Sequence, residues 1–138
     1  FTITVKTVSG SGIVLPIGST SLIYSDGTNV SLGLKNKGYV TLTASAITAY
    51  TAVDGDQILA NTTANPITVT LPASPATGAE VLFVDARGTF ANNNLIVNRN
   101  SQPINSGTSN LTLTTSGQAF SLVYVDSTRG WAYKTNTA

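Results

Sequence analysis

Ile67-Thr68-Val69-Thr70-Leu71 alternates an apolar residue with a hydroxyl-bearing one, and that period of two decides the fold class. A β-strand sends successive side chains to opposite faces, so Ile67, Val69 and Leu71 share a buried face and Thr68 and Thr70 a wet one. Outward along the chain the alternation recurs. Phe1, Ile3 and Val5 alternate with Thr2, Thr4 and Lys6; Val40 and Leu42 with Tyr39, Thr41 and Thr43; Leu111 and Leu113 with Thr112 and Thr114. Three other runs are apolar on both faces, Val81-Leu82-Phe83-Val84, Leu95-Ile96-Val97 and Leu122-Val123-Tyr124-Val125, which predicts interior strands. Turn signals such as Asp26-Gly27, Asp54-Gly55, Asn65-Pro66, Thr77-Gly78, Arg87-Gly88, Ser116-Gly117 and Arg129-Gly130 separate the runs. No window carries helical periodicity. Short strands with turns every 8 to 12 residues or so predict an all-β fold of tandem antiparallel β-sandwich, or small barrel-like, modules.

Composition narrows the function. Of 138 residues only 9% are charged, against 41% hydrophobic, and roughly a third are Ser, Thr or Asn. The net charge is +1, and Lys6, Lys35, Lys37, Arg87, Arg99, Arg129 and Lys134 are scattered, so no basic track exists for nucleic acid. No apolar run approaches the ~18 residues of a membrane-spanning helix, so no membrane insertion is expected. Cys and His are both absent, which removes disulfides, thiolate metal sites and the commonest general base. No catalytic residue, metal site or cofactor is expected.

Two-carboxylate glycosidase chemistry is left to the acids Asp26, Asp54, Asp56, Glu80, Asp85 and Asp126. Four of these sit in predicted turns, where Asp hydrogen-bonds its own backbone. Asp54-Gly55-Asp56 is a fragment of a calcium-loop pattern without the distal Glu, and reads as a turn before a strand. Asp85 and Arg87 share a strand face, predicting a surface salt bridge worth under ~1 kcal/mol. Trp131 and Tyr133 lie on one face of a strand, with Tyr124 on the preceding one. Such a group serves either as core and interface filling or as a glycan-contacting platform, and in the platform case Trp131→Ala abolishes glycan binding without unfolding.

An internal repeat organises the chain. Ser21-Leu22-Ile23-Tyr24-Ser25-Asp26 matches Ser121-Leu122-Val123-Tyr124-Val125-Asp126, and Thr2-Ile3-Thr4-Val5-Lys6 corresponds to Asn94-Leu95-Ile96-Val97-Asn98-Arg99, with about eight more residues between the anchors of the second copy. Residues 1–33 read as the trailing half of a first β module, 34–38 as a connector and 39–138 as a complete second module. Phe1 opens inside a strand-like run and Met is absent, so the chain reads as a fragment or processed product.

Tyr50-Thr51-Ala52-Val53-Asp54-Gly55-Asp56-Gln57-Ile58-Leu59-Ala60, then Ile67 through Pro75, Gly78 through Asp85, Asn93 through Val97 and Leu122-Val123-Tyr124 together resemble repeat modules of tail-fibre and related virion appendage proteins of tailed bacteriophages. Gly12 through Pro16 and Tyr24 through Val30 are similar to the end of such a module. The resemblance implies a virion structural protein, a homotrimer contacting other virion proteins and, through a distal tip, a host surface glycan. It also implies no cofactor and no catalytic residues. Tail fibre or appendage is the expected location, a capsid decoration or cement protein the alternative.

Overall fold

The computed structural model describes residues 3–10, 12–15, 23–25, 28–32 and 38–134, and the chain divides into two compact units, Phe1–Asn36 and Lys37–Ala138. Ser21, Leu22 and Asp26 of the repeat lie outside the described residues. All regular structure among the described residues is strand.

The first unit contains two antiparallel hairpins. Strands β1 (Ile3–Lys6) and β2 (Gly12–Leu15) pair with Ile3 opposite Leu15 and Val5 opposite Ile13. Strands β3 (Ile23–Ser25) and β4 (Val30–Leu32) pair with Tyr24 opposite Ser31.

The second unit holds β5 (Tyr39–Thr43), β6 (Ala49–Thr51), β7 (Gln57–Asn61), β8 (Ile67–Thr70), β9 (Glu80–Asp85), β10 (Leu95–Asn98), β11 (Leu111–Leu113), β12 (Ala119–Asp126) and β13 (Gly130–Tyr133). They form a four-stranded sheet, β11-β10-β8-β6, and a five-stranded sheet, β13-β12-β9-β7-β5. From β5 to β10 the chain crosses to the other sheet at every strand, so β5, β7 and β9 run parallel in one sheet and β6, β8 and β10 parallel in the other. Antiparallel pairing enters only at β11, β12 and β13.

The all-β, multi-sheet fold holds, but the expectation of purely antiparallel pairing is corrected, and neither sheet closes into a barrel. A parallel pair needs a long crossover, ordinarily a helix. Here the crossover is a strand of the facing sheet, so the chain coils like a short flattened solenoid. This winding places Leu42, Ile58, Val81, Phe83 and Leu122 of one sheet in a single apolar cluster with Ile67, Val69, Leu95, Val97 and Leu113 of the other. Each such fully buried side chain is worth about 1.5–3 kcal/mol. Burial alternates along β7, β8, β9 and β10 as the period of two predicts, and the doubly apolar β9, β10 and β12 are interior strands.

The uncharged polar residues stitch the turns between rungs. Asn100 Nδ2 donates to the Leu71 carbonyl at 2.8 Å, Gln102 Nε2 to the Ala73 carbonyl at 3.0 Å, and the Tyr124 hydroxyl to Gln102 Oε1 at 3.0 Å. Buried backbone needs such partners, and neutral amides supply them without the desolvation cost of a charge.

The repeat survives in three dimensions. Leu95 opposite Leu113 and Val97 opposite Leu111 reproduce the β1–β2 register, and Tyr124 opposite Trp131 reproduces Tyr24 opposite Ser31. The extra residues lie mainly between β10 and β11, where residues 98–110 stand in place of residues 6–12. In both units that loop folds onto the second hairpin's turn. Thr7 Oγ1 donates to the Thr28 carbonyl in one, while the Asn105 and Ser106 amides donate to the Trp131 and Arg129 carbonyls at 2.8 Å in the other.

The longer loop contains two tight turns with positive φ at both central residues, Asn100-Ser101 (48°, 71°) and Asn105-Ser106 (48°, 65°). It closes over Gly130, whose φ is +70° and where an added Cβ would stand 1.9 Å from the Pro103 carbonyl oxygen. Gly130→Ala is expected to destabilise the second unit by about 1–3 kcal/mol, read as a lowered thermal midpoint.

Candidate functional site

Asp85 lies on the inward side of β9, two residues beyond Phe83, and is 8% exposed. Its Oδ1 accepts the backbone amides of Arg87 (3.2 Å) and Thr89 (3.0 Å), and its Oδ2 those of Phe90 (3.0 Å) and Gly117 (3.0 Å). Burial alone pushes this carboxyl up, yet the four amides outweigh it and hold its pKa below the ordinary 3.8. The expected surface salt bridge with Arg87 is therefore corrected: the alternation that points Asp85 inward gives it the Arg87 backbone amide as partner.

The turn after β6 carries Asp54 and Asp56. Asp54 Oδ1 accepts the Glu80 amide at 3.0 Å; Asp56 Oδ2 accepts the Val53 amide at 2.9 Å and the Tyr50 hydroxyl at 3.0 Å. Burial, the bond to Asp56 and its charge together raise the Tyr50 phenol above 10.0. Both acids thus fasten the turn to its neighbours. Asp126 Oδ1 accepts the Thr128 and Arg129 amides at 2.8 and 2.7 Å, which lowers its pKa. Asp26 lies outside the described residues. Among the described residues no group of three or more acids could hold a metal ion.

Two of the six acids come together in one place. Asp56 and Glu80, with Gly55, Gln57, Leu82 and Ser121, line a small open cleft of about 100 Å³ on the outer face of the five-stranded sheet. Glu80 Oε1 is ion-paired to Lys134 at 2.8 Å. Gln57, Leu82 and Ser121 stand side by side on β7, β9 and β12, and the next position in that row, on β5, is Tyr39, 65% exposed. Sequence reading missed this row because its members come from four strands whose partners the alternation does not specify.

The three aromatics separate. Trp131 is fully buried and Tyr124 is 7% exposed, their rings meeting edge to face at 5.5 Å, so neither can present a platform to a glycan. Tyr133, at the edge of the sheet, is 42% exposed and leans edge-on against Phe120 at 6.0 Å. Trp131 is core because β13 pairs with β12 in the register that turns it inward, and loop 103–106 covers that strand. Comparison with protein-family models and with curated proteins finds no match for the chain.

Proposed function

We propose that the chain is a non-enzymatic structural segment of a bacteriophage virion, a tail-fibre or appendage piece that spaces and stiffens and presents a host-attachment tip. The observation that carries this reading is the recurrence of one two-hairpin assembly in both units, in the same register and with the same loop-on-turn packing. A chain that repeats a supersecondary unit extends by adding copies, and its stability is nearly a sum over neighbours. The acids support the absence of catalysis, since Asp54, Asp56, Asp85 and Asp126 each accept amides of their own backbone surroundings. Tyr39, Ile47 and Val53 are exposed in or beside the first rung, β5 and β6, and favour burial against other copies.

Sedimentation at high concentration is expected to give a homotrimer of 14.2-kDa chains. A strictly monomeric, stable chain would count against the fibre reading. Labelled particles imaged by electron microscopy are expected to carry the chain on the tail; signal at capsid lattice junctions would replace the reading with a decoration or cement protein.

The cleft beside Glu80 favours a second reading, glycan contact. An exposed aromatic ring in line with an amide and a hydroxyl on one sheet face suits a sugar, whose apolar face stacks and whose hydroxyls bond. Tyr39→Ala is expected to abolish signal on a glycan array without moving the thermal midpoint. A blank array for the unmodified chain removes this reading.

A further inference from the structure

In the second unit the hairpins β10–β11 and β12–β13 do not stand alone. Strand β10 takes β8 as its other neighbour and β12 takes β9, and the inward side chains Leu95, Val97, Leu113, Leu122 and Trp131 join one apolar cluster with those of β5 to β9. In the first unit the equivalent hairpins are present in the same register, yet among the described residues β1–β2 and β3–β4 are sheets of two strands only. The consequence shows at equivalent positions: Val97 is fully buried, whereas its counterpart Val5 is half-buried. The main apolar cluster contains no described residue of this unit. Two-stranded hairpins are marginal in water unless an apolar face packs on something.

We propose that the apolar face of β1 to β4 is the docking surface for a leading half-module. The occupant is a polypeptide with the alternating strand pattern of residues 39–92, which adds a β8-like strand to the free side of β1 and a β9-like strand beside β3. The second unit supplies the template, because it shows the same two hairpins closed by such a segment. The inference rests on the repeat and not on where in a particle the chain resides.

The repeat offset makes a direct test available. Ile3 corresponds to Leu95, so fusing a copy of residues 39–92 ahead of Phe1 in the full chain reproduces the spacing found in the second unit. Amide hydrogen exchange is expected to slow at β1 and β2 by roughly 100-fold or more, toward the values of β10 and β11. Val5→Asp is expected to leave the melting of the unmodified chain unchanged and to remove the new protection in the fusion, whereas Val97→Asp disrupts the second unit in both. Slow exchange of β1 and β2 in the unmodified monomer, or strong destabilisation there by Val5→Asp, would show the face already closed and overturn the proposal. Protection of the unmodified chain that rises with concentration would overturn it in favour of a second copy. A fusion whose added segment is itself protected while β1 stays unprotected would also sink it.

Discussion

Trp131→Ala is expected to lower the stability of the second unit by about 3–5 kcal/mol, the range for removing a fully buried large aromatic. For a unit of this size that is a fall in thermal midpoint of about 15 °C or more, measurable by circular dichroism or calorimetry. The size of the effect follows from position. The ring is fully buried, packs edge-on against Tyr124, and sits beneath the loop whose Pro103 carbonyl accepts the Trp131 amide at 2.8 Å. Loss of the ring therefore loosens the loop as well as the core. Trp131→Phe separates the causes. The indole Nε1 is buried without a hydrogen-bond partner among the described residues, and an unmet buried donor costs about 1–3 kcal/mol. Phe removes that penalty while keeping most of the ring, so its net change is expected to stay within about 1.5 kcal/mol. An alanine variant melting within 2–3 °C of the parent, roughly half a kcal/mol, would contradict the burial described for Trp131.

The second large effect is expected at Asp85. Asp85→Ala strips one acceptor group from four backbone amides, three in the turn after β9 and one at Gly117 in the turn before β12. Those turns join strands of both sheets, and leaving buried amides unmet should cost about 3–5 kcal/mol at neutral pH. The pH dependence has a definite sign. Because the folded pKa lies below the unfolded one, the stabilisation is fully present above the ordinary value of 3.8 and is lost as pH falls through the folded value. The gap in thermal midpoint between parent and Asp85→Asn, which lacks the charge, should therefore be constant from pH 7 to about 5 and shrink in stronger acid. A gap that widens with acid would contradict the assignment of Asp85 as an ionised acceptor.

How much of this was legible in the sequence depends on which symmetry each feature breaks. Ile67-Thr68-Val69-Thr70-Leu71 is buried and half-buried by turns as written, because a strand's faces follow from residue order alone. Strand direction does not follow. A period of two looks the same in parallel and antiparallel sheets, and the usual sign of parallel pairing, a helix between strands, is missing when the returning element is itself a strand. The inward position of Asp85 was readable by parity from Val81 and Phe83; its partners were not, since Gly117 comes from a turn 32 residues away. The tight turns at Asn100-Ser101 and Asn105-Ser106 lack the Asn-Gly signature, and only their four positive φ angles reveal them. Trp131 and Tyr133 share a face in the sequence as in the fold. One is core and the other rim because the loop carrying Pro103 and Ile104 folds over Trp131, while Tyr133 is 42% exposed.

The loop that covers β13 has one more effect. Ile104 bridges to Trp131, so the outer border of the five-stranded sheet on that side is occupied by the chain itself, while β5 forms the opposite border without a second strand partner among the described residues. A sheet with a single available border can recruit a neighbour once but cannot relay the recruitment onward. At high concentration this sheet is guarded against the runaway strand addition that turns β-rich proteins into amyloid.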